Sequence, residues 1–430
     1  MALSILLAAL SCAAMVLGIL FLPKVRLGPV AVDSFWAAPF LGALLALALG
    51  VVDLPLLGHA LADFSQPINP LKILVLFLSM AILSIFLDEA AFFRYLASAT
   101  LRRAKTSQAR LFLLLYLMVS VLTVFTSNDI VVLSFTPFIC HFARNARINP
   151  LPYLAAEFVA ANTWSMALVI GNPTNIYLAT ASGIGFAPYA RTMLLPTLGA
   201  GTAAFLLLRL LFRKSLSAPL GGEPETIRIQ SRTDLCVGLG FLGTCTVALA
   251  IAPLLGFEMW TVSAVAVAGL FATALLLAIC RRRAPRALLA CLRRAPWTLV
   301  PFVLSMFVLI TGLNQHGATA ALGGVLSRLS PIPAYGVSSF LASNLVNNIP
   351  MSVLFSSVLG GDASTPLGAV YATIVGSNLG ALFTPVGALA GILWVSILRH
   401  YGLRFGYRDF LRLGVAVALP ALAVALALLR

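Results

Sequence analysis

Three polar residues, Ser127, Asn128 and Asp129, stand together at the centre of the apolar stretch LTVFTSNDIVVLSFTPF, residues 122 to 138. A hydroxyl, an amide and a carboxyl group side by side can bind a cation, exchange a proton or hydrogen-bond a small polar molecule. An ionisable residue at bilayer depth costs about 3 kcal/mol on insertion scales and usually marks function. The sequence therefore predicts a binding site here, with Asp129 as its proton- or cation-binding group.

Polar residues also interrupt three other apolar segments, GNPTN from Gly171, VNNIP from Val346 and GSNLGALFTP from Gly376. Gly, Pro and Asn inside an apolar run break a helix, and a broken helix offers free backbone groups to a ligand. The further predicted ligand-binding residues are Gly171, Asn172, Thr174, Asn175, Asn347, Asn348, Ser377, Asn378 and Thr384.

Each of these residues also has a structural interpretation. The amides could satisfy the backbone of a hairpin or a helix break, and Asp129 could cap a helix. If these residues surround one cavity, ligand binding explains them better as a group than separate structural roles do. Other acidic residues lie nearer to segment ends: Asp88 and Glu89 are predicted to form a surface ion pair beside Arg94, and Glu157 is predicted to be interfacial.

The amino-acid composition indicates whether these residues lie in a soluble protein or in a membrane protein. Of 430 residues 61% are hydrophobic and 10% charged, and the mean hydropathy is +1.03. A chain of this size with so few charges is typical of an integral membrane protein. The first segment, MALSILLAALSCAAMVLGILFLP, lacks a basic start and is longer than the apolar core of a signal peptide, so a retained helix is predicted.

The net charge of +15 is concentrated in alternate loops, near residues 24–26, 94–110, 213–232, 281–294 and 399–412. This alternation is the pattern of cytoplasmic loops, and it argues against nucleic acid as a partner. The N-terminus is then predicted to lie outside. Ten spans are predicted at residues 2–22, 31–52, 71–93, 153–180, 193–213, 234–255, 259–280, 297–313, 366–398 and 412–429.

Two apolar stretches, residues 108 to 142 and 332 to 361, have flanks on the same side of the membrane. They are predicted to be re-entrant hairpins, which a membrane tolerates where protein or a watery cavity covers them.

The two halves of the chain are related by an internal repeat. LSMAILSIFLDEAAFFRYLA from Leu78 aligns without a gap on LSMFVLITGLNQHGATAALG from Leu304, and the two copies cross the membrane in opposite directions. The hairpins correspond to each other, and the broken helices align with Gly171 over Gly376. The predicted organisation is an extra helix over 1–30, a first repeat over 31–213, a linker and extra helix over 214–258, and a second repeat over 259–430.

The stretches LDEAAFFRYLA, SNDIVVLSFTPFI, RAPWTLVPFVLSMFVLITGLNQHG, LVNNIPMSVLF and YATIVGSNLGALFTPVGALAGILWVSILRHYG resemble the arsenite efflux permease (ArsB) family. That family belongs to the ion transporter superfamily, which also holds the divalent anion/sodium symporters. GNPTN is more similar to the symporter branch. Ser377 and Asn378 occupy positions where arsenite permeases commonly carry Cys and Asp.

The resemblance implies an all-α, inverted-repeat ion transporter fold with about ten spans, two hairpins and two broken helices. It implies an ion-gradient-coupled efflux carrier of the inner membrane for a small oxyanion or neutral oxyacid such as arsenite or antimonite. A sodium-coupled di- or tricarboxylate or sulfate symporter is the alternative. H⁺ or Na⁺ would couple transport and no other cofactor is expected; the expected partners are a small inorganic or organic anion, the lipid bilayer and a second copy in a homodimer.

Other classes of protein lack their motifs here. The sequence contains no HExxH or GxSxG motif and no Walker A loop, so an intramembrane enzyme or an ATPase is not expected. The six cysteines form no CxxC pair, which gives no indication of a disulfide framework or a metal site. A channel fits a polar pathway, but paired broken helices in inverted repeats favour alternating access.

Overall fold

The computed structural model describes residues 1–430 except 23, 28–29, 65–68, 105–106, 219–228, 230, 283, 361–365 and 430. Lys105, Arg228 and Arg283 of the predicted basic clusters lie outside the described residues. A small antiparallel hairpin joins the first two helices and consists of strands β1 (Lys24–Leu27) and β2 (Val30–Asp33). The helices are α1 (Ala2–Phe21), α2 (Ser34–Ala48), α3 (Leu54–Ala62), α4 (Pro70–Glu89), α5 (Phe92–Ala104), α6 (Gln108–Phe125), α7 (Asn128–Asn145), α8 (Leu151–Trp164), α9 (Pro173–Ala181), α10 (Phe186–Leu211), α11 (Arg213–Leu216), α12 (Arg232–Ile251), α13 (Met259–Cys280), α14 (Arg286–Arg294), α15 (Leu299–Gln315), α16 (Ala318–Leu326), α17 (Pro331–Val346), α18 (Asn348–Gly360), α19 (Leu367–Gly380), α20 (Leu389–His400), α21 (Tyr407–Leu413) and α22 (Leu419–Leu428).

The chain is a polytopic helical membrane protein, as predicted. Among the described residues, eight helical segments are long and apolar enough to cross a bilayer. One of them, α6, is an arm of the first hairpin; the other seven, together with the shorter α2 and two broken helices, give the ten predicted spans. Leucines and valines on the outer faces are exposed, including Leu206, Leu276 and Val265, as a lipid-facing surface requires.

Both hairpins and both broken helices form where the sequence predicts them. The first hairpin is α6 and α7 with its tip at Thr126 and Ser127, and the second is α17 and α18 with its tip at Asn347. Asn347 has a φ of 75° and a ψ of 154°, a conformation that glycine adopts far more readily than other residues. The broken helices are α8 with α9, and α19 with α20.

The halves of the structure repeat the same order of elements. A long helix, a short helix, a hairpin, a broken helix and a long helix follow one another in α4 to α10 and again in α15 to α22. The packing repeats as well, because α7 contacts α20 while its counterpart α18 contacts α9. This exchange of partners is the signature of a pseudo-twofold relation between two intertwined repeats. The division of the chain at residues 31–213 and 259–430 stays a prediction.

Contacts between distant segments test the predicted sidedness. The ammonium of Lys72 lies 2.6 Å from a carboxylate oxygen of Glu258, and both residues are predicted on the outer side. Arg281 donates to the Thr233 hydroxyl at 2.8 Å, with both predicted inside. Segments predicted on one side therefore lie together.

The acidic pair at the end of α4 has a different partner from the one predicted. Arg294 of α14, and not Arg94, binds both acids, with 2.7 Å between its guanidinium and the Asp88 carboxylate. The Ser134 hydroxyl on α7 donates to the same Asp88 carboxylate at 2.9 Å, and Asp88 is buried. The pair is thus part of a network that joins α4, α7 and α14, and sequence proximity to Arg94 was a poor guide.

Sequence analysis missed five short elements. The β1–β2 hairpin and helices α3, α5, α14 and α16 lie in segments that were treated as loops or span ends. Their apolar runs are too short to register as membrane spans. Helix α14, RALLACLRR, carries arginines at both ends of a short apolar core, which suits a helix lying at the membrane surface.

We expect single cysteines at Arg282 and Arg404 to react with a membrane-impermeant thiol reagent only from the cytoplasm, and a cysteine at Arg328 only from outside. All three side chains are exposed, so each position is accessible once its side of the membrane is reached. The measurement is labelling of intact cells and inverted vesicles, in a background lacking the six native cysteines. Labelling of Arg282 and Arg328 positions from the same side would contradict the inverted repeat.

Candidate functional site

The four irregular segments of the repeats meet inside the bundle, and their polar side chains are buried. All the predicted site residues except Asp129 have a relative exposure of 3% or less or are buried glycine, whereas Asp129 is half-buried. Burial of so many amides and hydroxyls requires hydrogen-bond partners. These hydrogen bonds form three clusters: one between the two broken helices, one between the second hairpin and the second break, and one between the first hairpin and α8.

The first break is built by local sequence. Helix α8 ends at Trp164, two 3₁₀ turns follow, Ser165–Ala167 and Val169–Gly171, and α9 starts at Pro173. A Cβ atom at Gly171 would lie 2.2 Å from the Ser165 carbonyl oxygen, so only glycine fits there. The Asn172 side chain caps α9 by accepting from the Thr174 backbone N–H at 3.1 Å, and it also accepts from the Thr174 hydroxyl at 3.1 Å.

Asn378 is the centre of a network that joins the two broken helices. Its Oδ1 accepts from the Ser165 hydroxyl and from Asn172 Nδ2, both at 2.9 Å. Its Nδ2 donates to Asn175 Oδ1 at 2.7 Å and to the Ile374 carbonyl at 2.8 Å. Asn175 Nδ2 in turn donates to the Ser165 carbonyl oxygen at 2.8 Å. These amides are paired with one another and hold the crossing of the two breaks rigid.

The second hairpin is fastened to the second break. Asn347 Nδ2 donates to the Val386 carbonyl at 2.8 Å, and the Asn348 backbone N–H donates to the Gly387 carbonyl at 3.1 Å. The Thr384 hydroxyl donates to Asn344 Oδ1 at 2.6 Å. Backbone and side chains of the tip are therefore positioned by the break of the same repeat.

The first hairpin is fastened to the first broken helix in a comparable way. Asn128 Nδ2 donates to Asn162 Oδ1 at 3.2 Å, and Asn162 Nδ2 donates to the Phe158 carbonyl at 2.9 Å. Because the Phe158 carbonyl can only accept, Asn162 must present Oδ1 to Asn128, which fixes the orientation of the Asn128 amide. The Ser165 hydroxyl, 2.9 Å from the Asn162 carbonyl and from Asn378 Oδ1, links this cluster to the central network.

Several buried oxygens around these clusters have no hydrogen-bond partner within the described part of the chain. A buried polar atom without a partner costs about 1 to 3 kcal/mol, so a cluster of them marks a place that a ligand or water fills. Those at the predicted site are Ser127 Oγ, Asn128 Oδ1, Thr163 Oγ1, Asn348 Oδ1 and Ser377 Oγ. They come from both tips and from the ends of α8 and α19, the segments that the repeat brings together.

Asp129 lies in the first turn of α7, directly after the tip. No hydrogen bond or ion pair of its carboxyl group is found among the described residues. Its counterpart in the second hairpin is apolar, because the helices start at Asn128 and Asn348 and Asp129 therefore corresponds to Ile349. The acidic group is present in one half only.

The structure corrects the interpretation of Glu157. Predicted to be interfacial, its side chain is completely buried in α8 and contacts Thr136 of α7 and Trp394 of α20. Glu157 lies in the second turn of α8, where the helix is already covered on all sides. Asp129 is therefore not the only acid deep among the hairpins and broken helices.

The structure also corrects the alignment of the broken helices. Helices α8 and α19 each have 14 residues, and the same spacing separates each from its second half. Aligning the two helices from their first residues, Leu151 and Leu367, places Asn162 on Asn378 and Gly171 on Gly387, and not Gly171 on Gly376 as the sequence comparison predicts. The sequence comparison aligned the Gly, Pro and Asn residues of the two breaks with each other. These residues occur in both breaks, but at different positions within each.

Residues that sequence analysis missed include Asn162, Thr163, Ser165 and Asn344. The first three fall in VAANTWSMA, directly before the GNPTN motif, and Asn344 precedes the hairpin tip. Asn162 could have been found, since the correct repeat alignment pairs it with Asn378. A cavity of about 650 Å³ lies elsewhere, between Glu89, Asp234 and Arg281, and no predicted site residue lines it.

Comparisons with known proteins agree with this architecture. Residues 32–368 match the family model described as citrate transporter, CitMHS. The arsenical pump membrane protein of Escherichia coli strain K12 is 30% identical, with 92% of each chain covered. The silicon efflux transporter LSI3 of Oryza sativa subsp. japonica is 24% identical, with 80% of this chain and 83% of the relative covered. The crystal structure of the YdaH transporter of Alcanivorax borkumensis superposes with a TM-score of 0.55 at 16% identity, over 99% of this chain and 96% of that one, and supports the fold.

Proposed function

The chain belongs to the citrate transporter (CitMHS) family, and from that premise we propose that it is a secondary transporter that exports a small oxyacid of the arsenite or antimonite type. An ion gradient drives the export. The site residues predicted from sequence build the binding site together with Asn162, Thr163 and Ser165. Those with partnerless oxygens contact the cargo, and the paired amides such as Asn378 hold them in position. The chain acts as a carrier and not as an enzyme.

The observation that carries this proposal is the chemistry of the partnerless oxygens. Asn128 Oδ1 is an acceptor whose orientation is fixed by Asn162, and it needs a donor from the bound molecule. Serine hydroxyls at Ser127 and Ser377 can donate or accept. A neutral oxyacid such as arsenous acid carries several O–H donors and lone pairs on one small centre, so it can satisfy this set. A fully ionised carboxylate offers acceptors only.

The charges around the site agree with a small, weakly charged cargo. Among the buried polar side chains of the described residues, Lys72 is the only cation, and its ammonium pairs with Glu258. An anion with several charges would be expected to need cationic side chains in a buried site. The relatives add to this, because their names specify arsenical pumping and silicon efflux.

A second function, import of a di- or tricarboxylate or of sulfate, is favoured by one feature. Helices α7, α9 and α18 begin at the tips and the first break, and α20 begins at the second. Helix N-termini carry partial positive charge and favour bound anions. The family description also specifies citrate.

We also propose a membrane location, an orientation, a driving ion and an assembly for the protein. We place the protein in the inner membrane with its N-terminus outside, because the basic loops then lie in the cytoplasm. Either H⁺ or Na⁺ supplies the driving force, and Asp129 is the group proposed to bind the proton. A homodimer is the proposed assembly.

We expect proteoliposomes containing the purified protein to accumulate arsenite or antimonite against a concentration gradient when a proton gradient is imposed. A panel of citrate, succinate and sulfate under imposed proton or sodium gradients is the comparison. A protonophore should abolish the uphill flux and leave exchange intact, which separates coupling from leak. Sodium-driven uptake of a carboxylate, with no flux of the oxyacids, would show that the second function is the correct one.

A further inference from the structure

Glu157 has no role in the mechanism proposed so far, although its environment is unusual for an acid. The side chain is fully buried at the junction of α7, α8 and α20. Its hydrogen-bond partners are two neutral groups, the Thr136 hydroxyl and the Trp394 indole N–H. An ionised carboxylate without a cation in the membrane interior is costly, so its protonation state matters.

The hydrogen bonds around Thr136 favour one position for the proton. Thr136 Oγ1 is 2.6 Å from the Val132 carbonyl oxygen and 3.0 Å from Glu157 Oε1. A hydroxyl has one proton to donate, and a carbonyl oxygen can only accept. The contact to Val132 is the shorter by 0.4 Å and follows the usual bond from a helical threonine to the carbonyl four residues earlier, so it is the better acceptor for the Thr136 proton. A proton between Thr136 and Glu157 then belongs to Glu157.

The opposite side of the carboxyl group completes this arrangement. Trp394 Nε1 donates to Glu157 Oε2 at 3.2 Å, which suits the carbonyl oxygen of a neutral acid. With Oε1–H donating to Thr136 and Oε2 accepting from Trp394, each polar atom has a partner of the correct kind. We propose that Glu157 is a second proton-binding site of the transporter, occupied in this conformation.

Release of the proton needs only a small local change. The O–H bond of Glu157 breaks and the proton passes to a water molecule, while the Thr136 hydroxyl turns from Val132 to donate to the new carboxylate. The Trp394 donor stays in place, so the carboxylate then has two donors. Thr136 lies about two turns beyond Asp129 on the same face of α7, which places the two acids along one side of the first hairpin.

The surroundings offer few competing charges. Cys140 of α7 is the titratable group that interacts electrostatically with Glu157. On α8 itself, Tyr153 precedes Glu157 by one turn, and its hydroxyl donates to Gln108 of α6 at 2.9 Å. Within the described residues no Lys or Arg on α6, α7, α10, α19 or α20 forms an ion pair with Glu157. A change of protonation at Glu157 is then governed by access of water.

Infrared spectroscopy of the purified protein tests occupancy without any substrate. The wild type should show a carboxylic-acid C=O band at neutral pH that is absent from Glu157→Gln and retained in Asp129→Asn. Gln keeps a donor for Thr136 and an acceptor for Trp394, so Glu157→Gln should fold. Thr136→Val should shift the band and Thr136→Ser should not. A wild-type spectrum without a band sensitive to Glu157→Gln would overturn the proposal.

Transport assays test whether the proton cycles, which rests on the proposed proton-driven function. Glu157→Gln should reduce proton-driven uphill transport to the level of empty liposomes and keep substrate exchange. Uphill transport at the wild-type rate in Glu157→Gln would overturn a role in coupling. If the wild type shows no proton-driven transport but retains the infrared band, the proposed function fails while occupancy of Glu157 stands.

Discussion

Asn128→Ala and Asn348→Ala are each expected to abolish transport while thermal stability in detergent stays near that of the wild type. Both side chains come from hairpin tips, and each presents an Oδ1 atom without a partner among the described residues. Truncation removes that unpaired atom together with a contact to the cargo, and at Asn128 it costs one hydrogen bond, the 3.2 Å bond to Asn162 Oδ1. The measurements are uphill flux in proteoliposomes and the temperature of unfolding.

Asn378→Ala is the matched control, because the side-chain amide of Asn378 is fully hydrogen-bonded. All its donors and acceptors are engaged, by Ser165, Asn172, Asn175 and Ile374. Truncation leaves those groups unpaired at about 1 to 3 kcal/mol each before relaxation, so a clear loss of stability is expected. If the tip variants lose stability as Asn378→Ala does, the tips have a structural role and the binding site lies elsewhere.

Asp129→Asn is expected to stop transport driven by a proton gradient and to keep substrate exchange. Asn retains the shape of the side chain at the start of α7 but cannot take up or release a proton. The second hairpin has Ile349 at the matching position and offers no replacement. The assay compares uphill flux and exchange over a range of pH, for the wild type and the variant.

The control is Ser134→Ala, which alters the same helix away from the tip by removing a hydrogen bond to Asp88. That variant should still perform uphill transport. Uphill transport by Asp129→Asn with unchanged pH dependence would show that Asp129 does not carry the proton. Sodium held by the tip oxygens would then be the better account of coupling.

Sequence patterns predicted the architecture well because the membrane restricts what a chain can do. Long apolar segments, basic loops and helix-breaking residues located the hairpins and the broken helices to within a few residues. Short elements such as α14 and the β1–β2 hairpin were not predicted, since their apolar runs are too short to register as membrane spans. The approximate position of each element follows from sequence, but the partners of its side chains do not.

Polar residues show this limit most clearly. Asp88 and Glu89 were assigned to the nearest arginine in the sequence, yet Arg294 binds them from the other half of the chain. Glu157 was placed at the interface because it lies near the start of its span, whereas neighbouring helices bury it completely. Sequence also gave no reason to separate Asn378, which is fully paired, from Asn128 and Asn348, which are not. Such distinctions depend on packing between segments that are distant in sequence.

Antimony offers the most direct test of the central claim, that the hairpin tips and broken helices bind the cargo. Crystals of the protein grown with antimonite can be measured at a wavelength where antimony scatters anomalously, which locates the ion without ambiguity. We expect one strong peak within hydrogen-bonding reach of Asn128, Asn348 and Ser377, and its loss in crystals of Asn128→Ala. A peak confined to a cysteine or to the cavity beside Arg281, in a protein that transports antimonite, would contradict it.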